Sequence, residues 1–431
     1  MSDTTPNWTF CADSTLQVNS VAISDDGSSC VFGTSNEFGK GKFSTYLYSV
    51  AKNTVGKWEG TQTWEKPVST EKEKQGIFWT AISGDGHYIA SGGENSGSNG
   101  FLLAYDQAGT CLLDSALNSR INQVSLSQDG TYMAACYGNV LEIFKLHIDA
   151  TDSSKTKYKS IGKETLTYDT DNKNIDIYSC EISRDGKTVV ACGKIFVDKN
   201  NHHEQDAGKQ DKDQEMKGKV FCFTVSDDDS VSETGSCKLY TGALRVAIVD
   251  SGLFWAVALH DGSCMLFHRD NADRWEWHYE ADFTGLKLAY AIDVTQTDED
   301  DIYVACGANV DGQSYGGILY MLKSKKHGDD HGHDYYYKPE LKWKATTTLP
   351  INPGVSMDLN AQYVTATVGK PKPGSSHESA GAFYLFAGDG GIEQWKYDTK
   401  LMNWPMMLSR DGSSVFGGSD DGSVYYWKLS D

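Results

Sequence analysis

Apolar and polar residues alternate along this chain in short runs, and Gly, Asp, Asn and Ser break the runs apart. Alternation with a period of two sends successive side chains to opposite faces of a β-strand. One pattern keeps returning: an alternating run, then Ser-x-Asp-Gly, then a second apolar run. It spans Val21–Gly27, Ala81–Gly86, Val124–Gly130, Glu181–Gly186 and Met407–Gly412. Asp-Gly between two such runs predicts a hairpin, because Gly takes a positive φ at no steric cost. Three degenerate copies fill the gaps and end at Asp250, Thr295 and Asp358.

With Ser24, Ser83, Ser127, Ser183, Asp250, Thr295, Asp358 and Ser409 taken as equivalent, the repeats lie 44 to 67 residues apart. Further strand-like runs fill each interval. The second run ends in small residues, as in Ala90-Ser91-Gly92, Ala191-Cys192-Gly193 and Ala305-Cys306-Gly307. A third follows a Gly and ends in a large side chain, as in Gly100 to Tyr105 and Gly422 to Trp427. A fourth is rich in Trp and charge, as in Trp275-Glu276-Trp277 and Glu393-Gln394-Trp395. Four strands per unit of roughly 40–50 residues is the signature of a propeller blade.

On these residues the sequence resembles the WD-repeat family across its whole length. It departs from that family in lacking the Gly-His pair before each first strand. It also lacks the Trp-Asp pair, to which Trp427-Lys428 is the nearest approach. The family's Asp-His-Ser-Trp hydrogen-bond network is therefore not expected. The resemblance implies an all-β β-propeller and a role as a scaffold for partners. Residues 1–431 read as a single propeller domain of eight four-stranded blades. A count of seven would require the units at Asp250 and Thr295 to merge. Only about two strands fit after Ser409, so Trp8-Thr9-Phe10-Cys11-Ala12 is expected to complete the last blade and close the ring by pairing the N- and C-terminal strands.

Charge narrows the partners. Lys and Arg number 39 against 59 Asp and Glu, for a net charge of −20. An acidic surface repels phosphate backbones, so nucleic acid is not expected as a partner. A protein partner, a basic one included, is. No apolar stretch approaches the ~20 residues of a membrane span. The N-terminus has no signal-like pattern, and the ten Cys form no CxxC pair, which predicts a cytoplasmic protein with reduced thiols. Cys136, Cys192 and Cys306 fall at matching second-strand positions and read as small core residues. The Asn7-Trp8-Thr9 sequon would matter only in a secreted chain.

Candidate chemistry is sparse. No GxSxG elbow, HExxH or P-loop is present, and no cofactor is expected. His327, His331 and His333 sit among carboxylates in a third-to-fourth-strand loop, as weak metal candidates. The most specific signal lies five residues before each reference position, where the chain should enter each first strand at the top of the channel. The occupants are Asn19, Phe78, Asn122, Tyr178, Arg245, Tyr290, Pro353 and Trp404, with Trp79 beside Phe78. Aromatics and Arg are the residues enriched at binding hot spots. Phe78, Trp79, Tyr178, Arg245, Tyr290 and Trp404 are thus the candidate partner-binding residues of a top face. The same side chains would serve equally as a channel plug. Three functions stay open: a non-catalytic protein-interaction scaffold, a small-molecule or glycan receptor at the channel mouth, and an enzyme with an unrecognised site in the channel.

Overall fold

The computed structural model describes residues 4–36, 41–68, 76–95, 98–169, 173–198, 214–270, 273–279, 286–297, 301–310, 316–328, 335–370 and 380–430. Among them no α-helix forms, and no helix is long and apolar enough to cross a membrane. The strands pair antiparallel in fours, each strand beside its neighbour in sequence. In the sheets so formed, the first strands are Gln17–Ile23, Gly76–Ile82, Ile121–Leu126, Asp176–Ile182, Ala243–Ile248, Leu286–Gln296, Ile351–Met357 and Asn403–Leu408. The first two quartets are joined into one sheet by the single pairing of Ser35 with Gly76. Gly76 has a φ of +116°, and a Cβ there would lie 2.4 Å from the Ser35 Cα, so this abutment needs glycine.

Each first strand packs beside the next, in chain order, and Asn403–Leu408 packs beside Gln17–Ile23. Trp8–Cys11 pairs with Ser423–Lys428 as the fourth strand of the last sheet, with Trp8 opposite Tyr426. The core lies between successive sheets. At the junction of last and first, Val18, Phe32 and Tyr48 pack with Phe416 and Tyr426. Cys136, Cys192 and Cys306 are fully buried on second strands, in three such layers. No disulfide forms among the described residues.

The repeated Ser has a structural task. Its Oγ donates to the Asp two residues on, at 2.7 Å for Ser24–Asp26 and 2.6 Å for Ser183–Asp185 and Ser409–Asp411. The same Oγ accepts the N–H five residues on, at 3.0 Å from Ser29 to Ser24 and 2.9 Å from Ser414 to Ser409. One buried hydroxyl thus ties both limbs of each hairpin turn. In the seventh unit Asp358 takes the place of Ser and accepts the Tyr363 N–H at 2.6 Å. The fifth unit departs from the alignment. Its turn closes from the Gly252 N–H to the Val249 carbonyl, as Gly27 closes on Ser24, so Val249 and not Asp250 is the equivalent residue. An apolar residue with no hydroxyl to bond had concealed the true register.

Candidate functional site

A break in pairing register builds the site. Near the start of each first strand, one or more residues are skipped in the pairing with the second strand. Asn19, Phe78, Asn122 and Tyr178 are the skipped residues of the first four units, and Tyr290 is skipped in the sixth. Pro353 and Trp404 lie within the longer skips of the seventh and eighth. Such bulges re-aim a side chain out of the ladder, and they also tolerate proline. In the fifth unit the skipped residue is Leu244, and Arg245 follows it. Arg245 is therefore the counterpart of Trp79, which explains why the two meet at one level of the site.

The result is one cavity of about 230 Å³, lined by Asn19, Phe78, Trp79, Asn122, Tyr178, Arg245, Tyr290, Pro353 and Trp404. All eight aligned positions and Trp79 meet there. Arg120, Pro405 and Met407 complete its walls, and nothing in the repeat pattern had singled them out. The Arg120 guanidinium lies 5.3 Å from the Phe78 ring and that of Arg245 lies 5.0 Å from Trp79. Lys194 stands 4.5 Å over Tyr178. These contacts hold the cations in place and use the negative ring faces.

A second tier lies deeper, a cavity of about 110 Å³ that shares Trp79, Arg245 and Tyr290 with the first and adds Glu181 and Asp293. Burial pushes the Glu181 carboxyl up to about 8, with the nearby Asp293 charge adding to it. Burial likewise pushes Asp293 up to about 6. Both are half-buried and line that cavity. Glu181 accepts from the Ile248 N–H at 3.1 Å, and Asp293 from the Met357 N–H at 2.7 Å.

The far end is crossed by residues just past the reference positions. Arg184 pairs with Asp25, and its Nε lies 4.0 Å from Asp250. Arg410 Nε donates to Asp250 Oδ2 at 3.0 Å. These four residues come from the first, fourth, fifth and eighth units, so the network spans the channel. Main-chain bonds link the same turns, from the Asp25 N–H to the Gly84 carbonyl at 2.9 Å and from the Asp411 N–H to the Asp25 carbonyl at 3.1 Å. The sequence alignment carried the signal, since Asp25, Arg184, Asp250 and Arg410 share one position once the fifth unit is moved by one residue. His327 falls within the strand Gly317–Gly328, its side chain is not described, and His331 and His333 lie outside the described residues.

No family model and no curated protein matches the sequence. Solved structures do. Saccharomyces cerevisiae Sqt1 is similar at 8% identity and a TM-score of 0.63, over 99% of each chain. Chaetomium thermophilum Sqt1, solved bound to the N-terminus of the ribosomal protein L10, is similar at 12% identity and a TM-score of 0.61, over 98% of this chain and 99% of that one. The C-terminal WD40 domain of Sif2 is similar at 12% identity and a TM-score of 0.59, with the same coverage. At such identities the likeness is one of fold, and that fold is the WD40 β-propeller.

Proposed function

We propose that the chain is a non-catalytic scaffold of eight blades in one closed ring, which holds a protein partner in the pocket where its first strands begin. The eight quartets supply the blades, and the pairing of Trp8–Cys11 with Ser423–Lys428 supports closure through the chain ends. The observation that carries the functional reading is convergence. Six side chains of hot-spot type, drawn from five units, line one cavity, and a floor network of ion pairs crosses the channel at its other end. The likeness to a propeller solved with a peptide segment of another protein agrees with this use of the fold. The cavity also keeps a small-molecule ligand as a second reading. Reduced, buried thiols suit a cytoplasmic setting.

Photo-crosslinking tests the proposal. A benzoylphenylalanine placed at position 404, in the pocket, should capture a protein from native lysate. The same group at position 253 should not, because Leu253 is exposed on a turn at the floor end. Capture from 253 and none from 404 overturns the assignment of the face.

A further inference from the structure

The cavity mouth carries charge of the opposite sign to the rest of the molecule. The chain as a whole is at −20, which favours cationic partners at long range. Two arginines nevertheless face one small space. Among the described residues Arg245 forms no ion pair with a carboxylate, although the Glu181 carboxyl lines the same lower cavity. It donates from Nη1 to the Tyr178 carbonyl at 2.9 Å, and its buried Nε has no hydrogen-bond partner. Among the described residues Arg120 has only Glu94, at a loose 3.8 Å. Burial lowers the pKa of Arg245, and the charge of Arg120 is among the smaller causes acting the same way. Two like charges held on aromatic rings around a cavity, with a buried donor left over, form half of a site. Leaving such a donor unpaired costs about 1–3 kcal/mol unless a ligand satisfies it.

We propose that the pocket binds a single carboxylate on an apolar stem, an acidic side chain or a chain terminus of the partner, between the guanidinium groups of Arg120 and Arg245. This rests on reading the pocket as a binding site. Guanidinium is the cation whose planar donors match a carboxylate. Trp404, Pro405 and Met407 supply apolar wall for the stem. The tier beneath limits the ligand to one charge, because Asp293, which burial raises only to about 6 and which is therefore ionised at neutral pH, lines the cavity that shares Arg245 with the first. A phosphate dianion would meet it with twice the repulsion.

The probes are benzoate, the neutral isostere benzamide, and phenyl phosphate, titrated into the full-length protein and followed by calorimetry and ligand-detected NMR. Benzoate should bind at least about tenfold more tightly than benzamide, a difference of about 1.4 kcal/mol. It should also bind more tightly than phenyl phosphate. Arg120→Gln and Arg245→Gln should each remove most of that preference, weakening benzoate far more than benzamide. Should Arg245→Gln fail to fold, Arg120→Gln carries the test, since that side chain is exposed. Two peptides separate the sources: acetyl-Ala-Glu-Phe-Ala amide offers a side-chain carboxylate, and acetyl-Ala-Ala-Phe with a free terminus offers the other. The tighter of the two identifies the source. Equal binding of benzoate and benzamide, tighter binding of phenyl phosphate, indifference of benzoate to both Arg substitutions, or no benzoate binding overturns the proposal. If the charge proves irrelevant but Trp404→Ala abolishes benzamide binding, the pocket remains a binding site and only the carboxylate falls. If no probe binds and the partner crosslinks only at position 253, both readings fall.

Discussion

The Glu181 carboxylate accepts the backbone N–H of Ile248 at 3.1 Å, and so satisfies the inner edge of a strand in the next unit. The relationship repeats around the channel. Asp293 accepts from Met357 at 2.7 Å, Ser356 from Leu408 at 3.3 Å, and Ser125 from Ile182 at 3.4 Å. Two residues earlier on their strands, Ser20 accepts from Thr80 at 2.6 Å and Ser179 from Val246 at 3.0 Å. A first strand has a ladder partner on one side only, so its inner N–H groups would be orphaned without these side chains. Capping from the preceding unit removes that cost and fixes the register between sheets. Glu181 and Asp293 are the two places where the cap is a titratable carboxyl.

Their titration makes stability depend on pH in a stated direction. The Glu181 carboxyl is raised by burial from 4.5 to about 8 in the folded protein. The folded state therefore keeps a proton that the unfolded chain releases between those values, and folding loses stability as pH rises through that window. Glu181→Gln keeps an acceptor for the Ile248 N–H and has no proton to lose. The melting temperature of the parent should fall between pH 5 and pH 8 relative to this variant, by an amount worth about 2–4 kcal/mol. Melting curves that run parallel over the window would show that Glu181 is ionised throughout.

The floor network should act as a brace. Asp250 is shared between Arg410 and Arg184, and all the side chains are partly shielded. Asp250→Ala should cost about 1–3 kcal/mol, more than an exposed pair, because it leaves two arginines facing each other with Asp25 alone between them. A double-mutant cycle with Arg410→Ala should return a coupling above about 0.5 kcal/mol. Additive losses would mean that the floor is held by its main-chain bonds alone.

How much of this was legible in advance follows from what each residue does. Ser24 and its counterparts were visible because one hydroxyl serves two limbs of a turn, which fixes both its identity and its spacing to Asp-Gly. Val249 was mistaken for its neighbour because an apolar residue in that place leaves no such mark. The pocket residues could be found by counting back from the turn, since each bulge sits at a nearly constant distance from it. Arg120 was missed because it precedes its strand and follows no repeat. Glu181 and Asp293 were missed because their positions hold Ala, Ser or Met in the other units, so no single residue type recurs. Their role depends on the gap between sheets, which the sequence of one unit does not encode.

Removal of residues 1–13 should lower the melting temperature markedly. The deletion takes away the whole strand Trp8–Cys11, with the Trp8 ring 4.9 Å from Tyr48 and the Trp427 indole bond to the Thr4 carbonyl at 3.0 Å. Losing the partly buried Trp8 and Phe10 alone should cost about 3–5 kcal/mol. An unchanged melting curve would show that the ring does not depend on the chain ends.

The thiols should sort by exposure. Cys11 and Cys111 are exposed, Cys237 is intermediate and the other seven are buried. Burial raises the thiol pKa of Cys30, Cys180 and Cys306 and so suppresses their thiolates. Ellman's reagent should label two thiols promptly in the native protein and all ten after denaturation. Prompt labelling of more than three would place the inner strands nearer the surface than the fold allows.

Trp404 decides between a binding pocket and a packed plug. Its ring lines the cavity and is only half-buried, while its carbonyl takes the Thr367 hydroxyl bond at 2.8 Å. Alanine keeps that carbonyl, so Trp404→Ala should leave the melting temperature within the equivalent of about 1 kcal/mol. Binding should behave otherwise. A hot-spot side chain truncated to Ala costs about 2 kcal/mol or more, roughly a thirtyfold loss of affinity. Trp404→Ala and Arg245→Ala should therefore each weaken the partner captured from position 404, with the loss mostly in dissociation rate. Leu253→Ala, at the floor end, should change nothing. Loss of binding together with a large drop in melting temperature would mean that the aromatic ring is core. Loss of binding on a stable fold requires that Trp404 touch the partner itself.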